Sequence, residues 1–512
     1  MGHGPVSLPS PLPGDTVSSA PPARSADLWN EDLAPTDAAH RTWRAYHFVT
    51  LWIGMVVGIP GYMLAAGMID QGFSALQAVA MVLAGNLIVL LPMVLNGHAG
   101  AKYAIPFAVL VRASFGTSGA KLPALLRALV ACGWFGIQCW VGGSAIYAIG
   151  NIFTGGALVG AKLGWIGIDA GQLGSFMLFW TLHLFFIARG PESVRWIETI
   201  TAPIKVAILL ALLAWAWHRG NGFGEMLSAP SQFVEGGKKE GQFWLLFWPT
   251  FTAMAGYWSG LALNIPDFTR FARSQRDQII GQSIGLPIPQ AALAFVGVAV
   301  TSATVSIYGK AIWDPVDLAG RMEGLAVAVG LIIITLDTLC VNLAANVVGP
   351  AYDFTAIFPK QLNFARGGYL TAVLGIAMMP WKLIESSGGY IFTWLVGYGA
   401  LLGPVLGVMI ADYWLVRRTH IEVDQLYDPA GPYAYRRGWN PAAWIAFAAA
   451  VLPNLPGFLA TAFPQAFGGV PAAFKEIYNY AWFVSVLISV LVYVPLMSAA
   501  RARLAPGSAA RG

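Results

Sequence analysis

From Gly241 to Pro266 the chain carries no charge, and this run, GQFWLLFWPTFTAMAGYWSGLALNIP, is long enough to cross a hydrocarbon core of roughly 30 Å as a helix. Its centre nevertheless reads Gly256-Tyr257-Trp258-Ser259-Gly260, two glycines around two large aromatics. Backbone groups freed at membrane depth are tolerated only where protein or a wet cavity satisfies them. A matching interruption, Val57-Gly58-Ile59-Pro60-Gly61, lies in the first apolar segment. Paired broken segments, one opening each half of a membrane chain, point to a central binding site between the halves.

Composition agrees with a bilayer setting: 57% of residues are hydrophobic, 11% are charged, and the mean hydropathy is +0.62. Soluble domains carry about 25% charged residues. The net charge of +5 is not gathered into a basic patch interleaved with aromatics, so no nucleic-acid partner is expected. Cys132, Cys139 and Cys340 sit in apolar runs and predict no disulfide framework. His98 and His183 make no metal spacing and read as structural. A membrane-embedded enzyme would need clustered His, Cys or carboxylates, and at depth the spans offer Asp337 alone. The chain therefore does not read as an enzyme, and no cofactor is expected.

Uncharged runs of suitable length predict an all-α membrane protein with twelve transmembrane helices, near 47–69, 75–96, 124–150, 172–188, 200–217, 243–267, 279–307, 324–350, 367–381, 387–413, 441–463 and 477–499. Placing the N-terminus in the cytoplasm assigns all but eight of the 30 Lys and Arg to the cytoplasmic side, most clearly Lys102, Arg112, Lys121 and Arg127 of the loop from Asn96 to Arg127, which predicts a multi-pass protein of the cytoplasmic membrane with both termini inside. Pairing spans one to five with six to ten puts the broken helices 1 and 6 at equivalent positions. Five is odd, so the second set enters from the opposite side, a five-plus-five inverted repeat by parity. The expected organisation is a mobile, disordered tail over 1–27 and a ten-helix transport core over 28–440. Within the core, helices 1–5 run from about 47 to 217 and helices 6–10 from about 243 to 413. Helices 11–12 and a C-terminal tail fill 441–512; these added helices could pack against a neighbour, and the sequence leaves the oligomeric state open.

Several polar or aromatic residues fall deep within spans. Trp134 and Gln138 are four apart and share a helix face. Either they pack, or they line a site; an amide in hydrocarbon needs a partner in both cases. Asn342 and Asn346 repeat the spacing on the eighth span, where interhelical hydrogen bonding is the plain alternative. Asp337 is an ionisable group at depth and reads as a proton carrier, a cation ligand, or a neutral hydrogen-bonded carboxyl. Glu198 and Lys205 read as residues near a cytoplasmic boundary that can snorkel, and are set aside. The deep set then contains amides and indoles without a fixed cation. Such a set suits a flat neutral ring between Trp134 and Trp258, with Gln138 and Asn346 offering donors and acceptors to a lactam or imide edge.

With these residues in view, the chain resembles the nucleobase:cation symporter-1 family of uracil, purine, allantoin and hydantoin permeases. The resemblance runs from Asn30 to about Arg418 and rests on NEDLAPT (30–36), NGHAGAKYAIPFAVLVRASFG (96–116), PALLRALVACGWFGIQ (123–138), NIPDFTRFAR (264–273), VNLAANVVGP (341–350) and GYGALLGPVLGVMIADYWLVRR (397–418). It implies the inverted-repeat (LeuT-type) fold and import of a uracil-, allantoin- or hydantoin-like ring by cation- or proton-coupled alternating access. A same-fold transporter for an amino acid or vitamin is the alternative. It also implies that Trp134, Trp258, Gln138 and Asn346 bind substrate. In sodium-coupled relatives the ion lies between the first and eighth spans, at carbonyls matching roughly Val56 and Ile59 and one near Asp337, with two hydroxyls. Cys340 and Val341 stand at the hydroxyl positions, and neither side chain supplies an oxygen. The reading therefore favours the proton over sodium as coupling ion.

Overall fold

The computed structural model describes residues 25–322, 325–383 and 393–504. Among them every regular element is helical, and β-pairing is limited to isolated bridges. The expected N-terminal tail up to residue 24, the C-terminal tail from 505, residue 324 at the start of the eighth span and residues 387–392 at the start of the tenth lie outside the described residues.

The first span is two helices, α1 (Ala45–Val56) and α2 (Ile59–Asp70), bent by 66° across Val57 and Gly58. Next comes α3 (Ala75–Tyr103), which starts at a capping box: the Ser74 hydroxyl accepts from the Gln77 amide, and the Ser74 amide donates to Gln77 Oε1. Leu76, Leu87 and Leu91 stand exposed along its outer face. In water that would be an unsatisfied apolar surface, whereas in lipid it is an ordinary outer face. After α3 follow α4 (Lys121–Thr154), α5 (Ala170–Ile187) and α6 (Pro191–Arg219). In α4, 78% of the most apolar stretch is buried, against 17% in α6, so α4 runs through the centre and α6 along the rim.

The uncharged run does not form one straight span. It divides into α7 (Phe243–Tyr257) and α8 (Ser259–Asn264), with Trp258 (φ −102°, ψ 3°) as the junction. Gly256 permits a close approach here, since a Cβ on it would lie 2.7 Å from the Leu395 carbonyl oxygen. The chain continues as α9 (Gln275–Gly285), α10 (Pro287–Tyr308), α11 (Leu325–Asn346), α12 (Val348–Ile357), α13 (Phe364–Ala377), α14 (Val396–Ile410), α15 (Pro441–Val451), α16 (Leu455–Ala462) and α17 (Ala481–Leu504).

Among the described residues eight helices are long and apolar enough to cross a membrane, or ten if each of two bent pairs counts as one span. The expected sixth and ninth spans fall short of that measure: the sixth is broken at Trp258, and α13 has only 14 residues. Segments from both halves are tied together at one end. Asn30 Nδ2 donates to the Pro359 and Leu362 carbonyls, Asp32 Oδ2 accepts from the Phe364 amide, and Arg270 donates to Thr36 Oγ1 and the Asp32 and Ala34 carbonyls. The stretches NEDLAPT and NIPDFTRFAR thus form one buttress beneath the helix ends.

Candidate functional site

Trp258, being the junction residue, is turned off the helix surface into the space between α1, α4, α8 and α11. Its Nε1 donates to Gln290 Oε1 of α10 at 2.5 Å, and its ring meets Trp52 edge-on at 5.3 Å. The neighbouring Tyr257 ring stands edge-on to both Trp258 (4.8 Å) and Trp134 (5.2 Å). Trp134 donates through Nε1 to the Tyr398 hydroxyl at 3.3 Å, and Tyr398 in turn donates to the Tyr257 carbonyl at 3.2 Å. These contacts hold both indoles in place by their edges, so their orientation is fixed by protein.

A small, half-open cavity of about 40 Å³ is lined by Trp134, Gln138, Trp258 and Asn346 together with Met55, Arg127, Tyr257, Val341 and Tyr398. All four residues expected to bind substrate from depth, spacing and resemblance therefore line one small cavity, which would have to widen to take a ring. Gln138 is buried, and its Oε1 has no hydrogen-bond partner among the described residues. An orphaned buried acceptor costs free energy until a donor arrives. The two asparagines on α11 divide the work. Asn342 Nδ2 donates to the Phe135 carbonyl and contacts His183 Nε2 at 3.0 Å, which is interhelical packing. Asn346 Nδ2 donates to Asn342 Oδ1, and Asn346 reaches the cavity.

Two expectations need correction. The site was read as lacking a fixed cation, yet Arg127, counted as a loop charge, lies within α4, is buried and lines the cavity. Its Nε donates to the Gly260 carbonyl at 2.9 Å and to Asn264 Oδ1 at 3.0 Å. Those bonds satisfy backbone and amide on α8, just past the break. Glu198 and Lys205, read as snorkelling residues at a boundary, are instead buried inside the fold. Lys205 Nζ donates to the Gly54 carbonyl at 2.6 Å and lies 2.8 Å from Asp337 Oδ1, an ion pair by distance though not aligned as a hydrogen bond. Gln290 and Tyr398, which position the two indoles, were not anticipated.

The expected cation residues gather around the first break. Val56 ends α1 and Ile59 opens α2. A Cβ on Gly58, between them, would sit 3.2 Å from Val341 Cγ2 and 3.9 Å from Asp337 Oδ2. Cys340 is buried beside this group. A sodium ion bound here would need oxygen ligands. The Lys205 ammonium already stands between a break carbonyl and the Asp337 carboxylate, and Cys340 and Val341 bring sulfur and carbon. These residues do not fit a sodium ion.

Among the described residues an all-helical membrane fold holds a cavity beside two helix breaks, the architecture of a permease. The family model for permeases of cytosine/purines, uracil, thiamine and allantoin matches residues 35–485. The chain belongs to that family, the nucleobase:cation symporter-1 permeases. It is 43% identical over 474 residues to a purine-uracil permease of Arabidopsis thaliana, covering 92% of this chain and 78% of that protein. It is 39% identical over 480 residues to an allantoin permease of Bacillus subtilis, covering 93% and 94%. In fold it is similar to the transporter Mhp1 in a closed conformation with bromovinylhydantoin bound (TM-score 0.73, 24% identity, 94% and 97% covered). It is also similar to MhsT in complex with L-phenylalanine (TM-score 0.54, 14% identity, 87% and 98% covered).

Proposed function

We propose that the chain imports a neutral nucleobase or related ring, of the uracil, allantoin or hydantoin class, by coupled alternating access around the cavity at the second break. Twelve spans arranged as a five-plus-five inverted repeat over 28–440, with two added helices beyond, give the two halves that would rock about this cavity. Both termini face the cytoplasm, the membrane is the cytoplasmic one, and the proton is the coupling ion. The observation that carries the reading is the convergence of Trp134, Gln138, Trp258 and Asn346 on one cavity, with Gln138 Oε1 unpartnered. Indoles supply faces for a flat ring, and the amides match its N–H and C=O edge. Curated relatives described as purine-uracil and allantoin permeases support the same class.

The test is competition by unlabelled uracil, allantoin, hydantoin and purines against labelled uracil uptake in cells expressing the chain. At least one of these rings is expected to compete strongly, and the Trp134→Ala and Gln138→Ala chains are expected to take up little. A panel in which no neutral ring enters or competes would end the reading. A second class, substrates bearing a carboxylate, is favoured by Arg127 alone. Adding L-phenylalanine and other amino acids to the panel separates it: uptake of an amino acid, with rings inert, would select that class.

A further inference from the structure

An α-helical carbonyl normally receives the amide four residues on, and α1 ends at Val56, so the Gly54 carbonyl has lost its helical partner. The donor that replaces it is Lys205 Nζ, which also faces Asp337 Oδ1 on α11. Seven residues before Lys205, two turns back on the same face of α6, stands Glu198. Its carboxyl presses on Gly54, where a Cβ would be 1.5 Å from Oε2. Glu198 is buried, and neither of its oxygens has a hydrogen-bond partner among the described residues.

We propose that Lys205 is a tethered cation standing where a coupling ion would bind, and that Glu198 is the group that takes up and releases the transported proton. The inference rests on the reading of the chain as a coupled importer and names the residues that do the coupling. The Lys205–Asp337 pair is neutral as a unit, so the charge of the cluster is set by Glu198. A buried carboxylate without a partner is far costlier than a buried neutral carboxyl, and the packed arrangement thus holds the proton on Glu198. Loosening the α1–α6 contact toward one side admits water, the proton leaves a Glu198 oxygen to that side, and the carboxylate left behind draws on Lys205. Re-protonation from the opposite side restores the packed form.

Among the described residues the groups acting on Glu198 are few. Lys205 lies on its own helix, and Asp337 and Cys340 face the cluster from α11. On α1, His47 is two turns from Gly54 and its ring accepts from the Arg44 amide. His183 on α5 faces Asn342 instead, and α10 carries no charged residue. Two side chains tie the cluster to the substrate cavity. Met55, adjacent to Gly54, and Val341, packed at Gly58, both line that cavity. An occupant of the cavity and the proton on Glu198 therefore bias the same short strip of backbone, which is what coupling between two sites requires.

The test has two arms on the full-length protein. In the first, thermal unfolding in detergent is compared in sodium chloride and choline chloride, with no substrate present. The Tm is expected to be the same in both, and a sodium-specific rise would overturn the proposal. In the second, proteoliposomes free of sodium are given an inward proton gradient and labelled uracil or allantoin. The wild-type chain is expected to accumulate label. For Glu198→Gln, a near-isosteric change, the ratio of gradient-driven accumulation to substrate exchange should fall about tenfold, within the usual range of coupling between sites. Exchange itself reports whether the variant is folded, and an unchanged ratio would refute the assignment. If the wild type takes up neither ring, the substrate reading fails, and the sodium arm alone decides this one.

Discussion

The two helix breaks solve one problem with different chemistry. At each, a buried cationic side chain bonds a backbone carbonyl of the broken span: Lys205 takes Gly54 ahead of the first break, and Arg127 takes Gly260 just past the second. The surroundings then diverge. Lys205 is joined by the carboxyls of Asp337 and Glu198, and the first break is ionic. Arg127 is joined by Asn264, itself bonded to the buried Asp267, and Trp258 at the junction with Gln290 on its indole gives the second break an aromatic and amide lining that the first lacks. A break frees backbone groups in either case, but the side chains that answer them decide whether the place handles charge or a ring.

The largest effect is expected at the ionic break. Lys205→Ala leaves the Asp337 carboxylate and the Gly54 carbonyl unmatched, and breaking a buried pair costs about 3–5 kcal/mol. Size-exclusion and thermal unfolding should show a chain much less stable than wild type; a stability equal to wild type would mean the pair is not what holds the first break. At the aromatic break, Trp258→Ala should leave the chain assembled but weaken ring binding by about 5- to 150-fold, the equivalent of roughly 1–3 kcal/mol of stacking. Isothermal titration with the best competitor measures it. Gln138→Leu comes next, expected to weaken binding about tenfold for rings with an N–H edge and less for a ring without one. Equal losses for both kinds of ring would place Gln138 outside the contact. The smallest effect belongs to Trp134→Phe, which removes the 3.3 Å bond to Tyr398 while keeping an aromatic face. Roughly a fivefold loss corresponds to one net hydrogen bond of about 1 kcal/mol.

The aromatic break was legible in the sequence because its signals are local. Glycines around Tyr257 and Trp258 announce an interruption, and four-residue spacing puts Trp134 with Gln138 on one face. The ionic break was only half legible. Asp337 stood out as a lone acid, but Glu198 and Lys205 precede a long apolar run and read as its edge, although their seven-residue spacing on one helix was a usable sign. Arg127 was hidden the same way: as one of four cations between Asn96 and Arg127 it looked like a cytoplasmic loop charge, while α4 begins at Lys121 and carries it two turns inward. Counting charges by loop assumes that a cation near a span end faces water. Tertiary partners such as Gly260 and Asn264, distant in sequence, overrule that assumption. Gln290 was missed because nothing nearby marks which indole it meets.

Gly256 touches the Leu395 carbonyl, and Gly399 on α14 lies with its own Cβ direction 3.4 Å from the Gly256 Cα. Backbone there runs on backbone with no side chains meshed between, so the two surfaces meet like the smooth faces of a plain bearing. A turn of the broken span against α14 would find no interlocking side chains at this seam, and a single added methyl on Gly256 would be grit in it.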